Sequence, residues 1–176
     1  MQLLYPLLFP CFQVNKLITC CRYTQSMSRS YTNIIIHLIF HIKCSASPMK
    51  EEDLPQIFRY LGGIIRASSG FPYRIGGRPD HIHILTTLPT SMSVPDFVRA
   101  IKASSSKWVK HLSPEYKNFS WQEGYGAFSV SESMKHNVID YISKQKQHHQ
   151  HFSAHREFIH FLEKNGISTD YVPPQP

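Results

Sequence analysis

From residue 27 onward, segments with strand character alternate with segments at helical spacing. This alternation limits the fold more tightly than any other feature of the sequence. Residues 34–43 (I-I-I-H-L-I-F-H-I-K) are apolar and β-branched and predict a strand. Residues 51–68 open acidic at Glu51, Glu52 and Asp53. They then place Leu54, Ile57, Phe58, Leu61, Ile64 and Ile65 at helical spacing, which predicts an amphipathic helix. Gly70, Gly76 and Gly77 punctuate a turn-rich segment, and residues 81–88 (H-I-H-I-L-T-T-L) predict a second strand. Ser93, Pro95 and Asp96 mark the start of a helix that runs through Phe97, Val98, Ile101, Trp108, Val109 and Leu112. Short strands are expected around Gly124 and Gly126 in residues 119–130. A helix follows over 132–147, through Met134, Val138, Ile139 and Ile142, and a last one over about 154–165, stopped by Asn165-Gly166. The order predicts an α+β fold, a small sheet with helices packed mainly on one face.

At 176 residues the chain has the length of one domain with short additions. Its 41% hydrophobic and 18% charged residues suit a packed core and exclude wholesale disorder. No stretch reaches the roughly 18 to 20 uninterrupted apolar residues of a membrane span. The net charge of +7 favours an anionic partner, nucleic acid before an anionic membrane surface, although simple solubility would also account for it. Cys11, Cys20, Cys21 and Cys44 contain no Cys-x-x-Cys, so neither a disulfide framework nor a zinc ribbon is indicated and a reducing cytoplasm is expected.

Residues 1–26 differ from the rest. They hold no acidic residue, and Pro6 and Pro10 interrupt their scattered apolar residues. They lack the basic start, continuous apolar centre and cleavage site of a signal peptide. We read Met27 as the natural start, 1–26 as an upstream extension outside the fold, 27–168 as the domain and 169–176 as a loose tail. A poor signal peptide or a membrane-surface anchor is the competing reading of the first segment.

Three groups of residues carry chemistry. His81 and His83 alternate with Ile82 and Ile84, so on a strand both imidazoles share one face about 7 Å apart and could ligate a metal. Asp80 could orient one ring as an acceptor. The plainer alternative is a pair of half-exposed strand histidines. Tyr141 and Gln145 stand four apart on a predicted helix and share a face. Tyr141 either borders the core or projects beyond it; beside a metal, a tyrosine can act as a nucleophile. Lys102, Lys107 and Lys110, with Arg74 and Arg78, suit phosphate contacts, and Trp121, Tyr125 and Phe128 could stack on unpaired bases. A solvated helix face and a packed core explain the same residues. His148, His149, His151, His155 and His160 follow no finger-like spacing, and we leave them outside the site.

Four segments in order, G-G-R-P-D-H-I-H-I-L at 76–85, K-A-S-S-S-K-W-V at 102–109, W-Q-E-G-Y-G-A-F-S-V-S at 121–131 and N-V-I-D-Y-I-S-K-Q at 137–145, resemble the single-tyrosine HUH transposases of small bacterial insertion sequences. HUH denotes His, a hydrophobic residue, His. The resemblance runs from about Ser30 to about Gly166. It implies a small antiparallel sheet with helices, in the RRM/ferredoxin-like form of that family. It matches His81 and His83 to the metal-holding pair, usually for Mg²⁺ or Mn²⁺, Gln145 to the third ligand and Tyr141 to the catalytic tyrosine. It implies a bacterial, cytoplasmic enzyme, nucleoid-associated when acting, that works as a homodimer in which one subunit's tyrosine helix can complete the other's site. Its substrate would be single-stranded DNA beside hairpins at an element's ends, cut through a 5′-phosphotyrosine and rejoined. A domesticated relative that processes genomic hairpin repeats and a catalytically idle single-stranded DNA-binding module are the alternatives. An unrelated metallohydrolase, which would form no protein–DNA ester, is more distant.

Overall fold

The computed structural model describes residues 31–145 and 154–170. The chain divides into two units, Met1–Thr32 and Asn33–Pro176, and every element below belongs to the second. Its elements run β1 (Ile35–His41), α1 (Leu54–Ala67), β2 (Pro72–Arg78), β3 (His81–Thr87), α2 (Val94–Val109), β4 (Gly126–Val130), α3 (Lys135–Ser143) and α4 (Ala154–Lys164), with single 3₁₀ turns at Pro114–Tyr116 and Glu132–Met134. The strands form one antiparallel sheet in the order β2-β3-β1-β4. The α+β class expected from the sequence is what is found, with helices on both faces of the sheet rather than mainly on one, because β1 and β3 carry buried residues on both sides.

Because side chains alternate across a strand, β1 and β3 each serve two layers. Ile36, Leu38, Phe40, Ile82 and Ile84 point to one face. There they pack against Leu54, Ile57, Leu61 and Ile65 of α1 and Phe97, Val98, Ile101 and Val109 of α2. Fully burying each such side chain contributes about 1.5–3 kcal/mol, so this layer carries most of the stability. The opposite face holds two smaller apolar clusters, Ile35–Leu85–Ile142 under α3 and Ile39–Phe128–Leu162 under α4. The helices that cover it are the shorter pair, 9 and 11 residues against 14 and 16 for α1 and α2.

Local signals explain the boundaries. Pro55 lies in the first turn of α1, and Glu51, Glu52 and Asp53 form the turn ahead of it. Ser93 Oγ caps α2 by accepting from Asp96 N–H at 3.3 Å. The segment expected to be turn-rich contains β2, an edge strand. Its two glycines answer to close approaches rather than to a turn. A Cβ on Gly76 would lie 2.8 Å from both Cγ2 and the carbonyl oxygen of Ile142, so only glycine lets α3 lie directly on β2. Gly77 has φ +152° and a Cβ there would meet the His81 carbonyl oxygen at 2.3 Å. In the described part of the helix expected over 132–147, a 3₁₀ turn is followed by α3, and Met134 is exposed rather than part of its buried stripe; residues 146 and 147 lie outside the described residues. Of residues 119–130, only 126–130 form a strand, with one further bridge between Ile42 and Trp121.

Candidate functional site

β3 places His81 and His83 on the face covered by α3 and α4. Their rings lie 5.1 Å apart between centroids, and both are buried, at 1% and 0% exposure. Each is oriented through Nδ1. Asp80, in the turn between β2 and β3, accepts from His81 Nδ1–H at 2.8 Å, the role expected for it. That turn is itself held, since Ile42 N–H donates to the Asp80 carbonyl and Met49 N–H to that of Pro79, both at 2.9 Å. Burial raises the Asp80 carboxyl, but the hydrogen bond and charge of His81, with His41 nearby, outweigh it and hold the group at about 2. His83 Nδ1 shares a 3.0 Å hydrogen bond with His37 Nε2 of β1.

The two Nε2 atoms face a carboxylate that no motif in the sequence marks. Glu157, in the first turn of α4, lies with Oε2 3.7 Å from His81 Nε2 and Oε1 3.6 Å from His83 Nε2. One ligand atom from each of the three residues falls within 4.8 Å of the others. Burial pushes the Glu157 carboxyl up to about 7, against the pull of His81. Gln145 is 2% exposed. Its amide nitrogen donates to Glu157 Oε1 at 2.9 Å, while its Oε1 is buried with no hydrogen-bond partner among the described residues. Two imidazole nitrogens, a carboxylate and an amide oxygen in want of a partner form a mixed N/O donor set that fits a divalent cation.

α3 brings Tyr141 to the same place. Ile142 anchors the helix on Gly76, and Val138, Ile139 and Tyr141 pack beside Ile35 and Leu85. The Tyr141 ring stands edge-on to His83, centroids 5.7 Å apart, and to Phe161 of α4 at 5.4 Å. It is half-buried and lines a cavity of about 820 Å³ together with His37, Glu157, Arg156, His160 and Phe161. Of the two positions left open for this tyrosine, at the core edge or beyond it, the structure shows a core-edge residue that also lines a cavity.

The other residues expected to contact DNA are spread over several elements, and of these Arg78 borders the cluster as the register partner of His81. Arg74 is exposed on β2, and Arg78 ends that strand opposite His81. Lys107 and Lys110 are exposed at the end of α2. Lys102 donates to the carbonyl of Gln122 at 2.9 Å and to that of Gly124, so it holds the loop ahead of β4. Trp121 and Phe128 are core residues, 7% and 6% exposed, and Trp121 Nε1–H donates to Ser105 Oγ at 2.8 Å, so neither offers a face to a base. Tyr125 is 37% exposed. Among the histidines left outside the site, His160 lines the cavity; His148, His149 and His151 lie outside the described residues. Two functional candidates were missed. Glu157 stands four residues before Phe161 on the apolar stripe of α4, where a carboxylate is out of place. His37 interrupts the apolar run from Ile34 to Phe40.

This arrangement can be set against known proteins. Residues 30–145 match the family described as transposase, IS200 like. The chain belongs to that family. The ISDra2 transposase TnpA of Deinococcus radiodurans is 31% identical over 72 residues, which cover 38% of the chain; the chain spans about half the length, 51%, of this curated relative. Two solved structures share the fold. A crystal structure described as that of a candidate transposase from Deinococcus radiodurans R1 aligns with a TM-score of 0.52 at 23% identity, over 67% of this chain and 95% of that one. A REP-associated tyrosine transposase bound to a REP hairpin aligns with a TM-score of 0.52 at 19% identity, over 69% and 72%. The β1, β3 and α3 residues that meet in the site of this IS200-like chain, and Gln145, come from inside the matched region; those of α4, Glu157 and Phe161 among them, lie beyond its end. No helix among the described residues is long and apolar enough to cross a membrane.

Proposed function

We propose that this chain is a transposase that cuts and rejoins single-stranded DNA through Tyr141. One observation carries the reading: the Tyr141 ring lies 5.7 Å from that of His83, which shares with His81 and Glu157 a cluster able to hold a cation. His81, His83 and either Glu157 or Gln145 would hold Mg²⁺ or Mn²⁺. When bound, such a cation would draw charge from the phosphate oxygens, the main obstacle to attack on a phosphodiester. The chain's own residues do the rest. Asp80 and His37 fix the two imidazoles, and α3, seated on Gly76, holds Tyr141 beside them. The Tyr141 oxygen bonds to phosphorus as the bond from phosphorus to the 3′-oxygen breaks. The phenol gives up its proton and the leaving oxygen gains one, which leaves a 5′-phosphotyrosine and a free 3′-hydroxyl. Because the ester is conserved, another strand's 3′-hydroxyl can reverse the step without ATP.

The net positive charge and the exposed Arg74, Lys107 and Lys110 support a nucleic-acid substrate, with Arg78 and Lys102 as further candidates. The hairpin bound by the REP-associated relative supports hairpin DNA, whether at an element's ends or in genomic repeats. Residues 27–168 form the working unit in this reading.

The test is incubation with labelled single strands carrying the hairpins that flank the coding sequence, with Mg²⁺, followed by a denaturing gel. A slow-moving covalent species is expected from the wild type and none from Tyr141→Phe, which should still bind the hairpin. Hairpin binding with no adduct from the wild type would leave the idle binding module. The family resemblance further implies homodimers that exchange tyrosine helices. Mixing Tyr141→Phe with His83→Ala chains should then restore the adduct, and failure to restore it would place each site within one chain.

A further inference from the structure

His37 is a polar residue where an apolar one would pack as well. It sits at 2% exposure in β1, flanked on its face of the sheet by Ile35 and Ile39. Four rings pack around it. His83 is stacked at 5.2 Å and 29°, Phe161 edge-on at 5.2 Å, Tyr141 at 6.4 Å and Phe128 at 6.5 Å. Its register partners are Leu85 and Phe128, so His83, two residues along β3, is its diagonal neighbour. Packing that tight fixes the direction of Nε2, which lies 3.0 Å from His83 Nδ1.

A neutral imidazole has one proton and two nitrogens, and the partner of one nitrogen decides the state of the other. We infer that His37 is a positioning residue for His83: its Nε2 accepts a hydrogen bond from His83 Nδ1–H, which keeps the lone pair of His83 on Nε2, the atom that faces Glu157. In the opposite arrangement His37 Nε2–H donates, the His83 proton sits on Nε2, and that nitrogen cannot take a metal. Asp80 performs the same service for His81 from the turn before β3. The two ligands therefore have orienting partners of different kinds: a half-exposed carboxylate reached from one end of the sheet and a buried neutral ring on the adjacent strand. His37 also lines the cavity beside Tyr141, so one side chain braces the ligand and walls the space into which the tyrosine faces.

The inference rests on the reading that His83 binds the metal, and the experiment keeps the two apart. Long-range ¹H–¹⁵N imidazole spectra of the metal-free full chain should show His83 protonated on Nδ1. A proton on Nε2 would overturn the inference without any variant. Mn²⁺ titrations followed by electron paramagnetic resonance should then compare the wild type with His37→Phe, His37→Gln and His83→Ala. His37→Phe keeps the ring and loses the acceptor, and should weaken Mn²⁺ binding by roughly 10- to 100-fold while thermal unfolding stays close to that of the wild type. His37→Gln, whose amide oxygen can accept, should bind within about threefold of the wild type. If His37→Phe binds Mn²⁺ as the wild type does while His83→Ala does not, the role of His37 is refuted and the metal site stands. If His83→Ala binds as the wild type does, the metal site fails and this inference with it.

Discussion

The two faces of the sheet are written by the same two strands and have opposite characters. On the α1–α2 face, β1 and β3 present Ile36, Leu38, Phe40, Ile82 and Ile84 to two long helices in one continuous apolar layer. On the α3–α4 face the alternate residues of those strands include His37, His81 and His83, and the apolar contacts shrink to two clusters of three buried residues each. A fold with two equally apolar faces would be more stable and could do no chemistry. The division puts most of the apolar burial on the first face and leaves the second to hold buried polar groups at fixed separations.

If the faces divide the work in this way, variants should separate stability from metal binding. The largest effect is expected from Leu38→Ala on the first face. It removes a side chain with 0% exposure and should cost about 2–5 kcal/mol in urea unfolding, with or without Mn²⁺. His83→Ala on the second face should do the reverse. Mn²⁺ affinity should fall at least about 100-fold in a titration, while the unfolding free energy changes by less than about 2 kcal/mol, the cost of leaving His37 without its hydrogen bond. Equal losses of stability from the two variants would break the comparison.

Gly76→Ala tests the joint between scaffold and chemistry. The added methyl would meet Ile142 Cγ2 and its carbonyl at 2.8 Å, so α3 must shift and carry Tyr141 with it. Stability should drop by about 1–3 kcal/mol and the rate of DNA cleavage by about 100-fold, while Mn²⁺ binding persists. The smallest effect belongs to the rim of the first face. Burial pulls the Lys102 ammonium from 10.5 down to about 8. The unfolded chain therefore holds this proton more tightly, and stability should rise as pH increases from about 8 to 10.5. Solvent screening limits the gain to no more than about 1 kcal/mol. Unfolding of Lys102→Met measured across that range should lack this rise.

The features easiest to read in the sequence were those set by chain-local periodicity. β1, β3, α1 and α2 follow from apolar spacing and from the Ser93 cap, and a shared face for His81 and His83 follows from strand alternation alone. β2 escaped because Gly76 and Gly77 look like turn residues until the approach of Ile142 and of the His81 carbonyl is seen; that approach is tertiary. Glu157 escaped because nothing local links a residue on the last helix to a strand more than seventy positions earlier. A carboxylate in register with Phe161 was the signal available. Gln145 donates to Glu157, a contact that its four-residue spacing from Tyr141 does not reveal. Trp121 and Phe128 were open to two readings as aromatics, and burial decides for packing.

In the proposed reaction Tyr141 delivers its oxygen to a phosphorus held at the His81–His83 cluster. The most direct measurement is peptide mass spectrometry after the full chain has reacted with hairpin-bearing single-stranded DNA and Mn²⁺ and the DNA has been digested away. A nucleotide phosphate is expected on the peptide that contains Tyr141, and none in Tyr141→Phe or in His83→Ala. An adduct on any other residue, or one that survives in Tyr141→Phe, would contradict it.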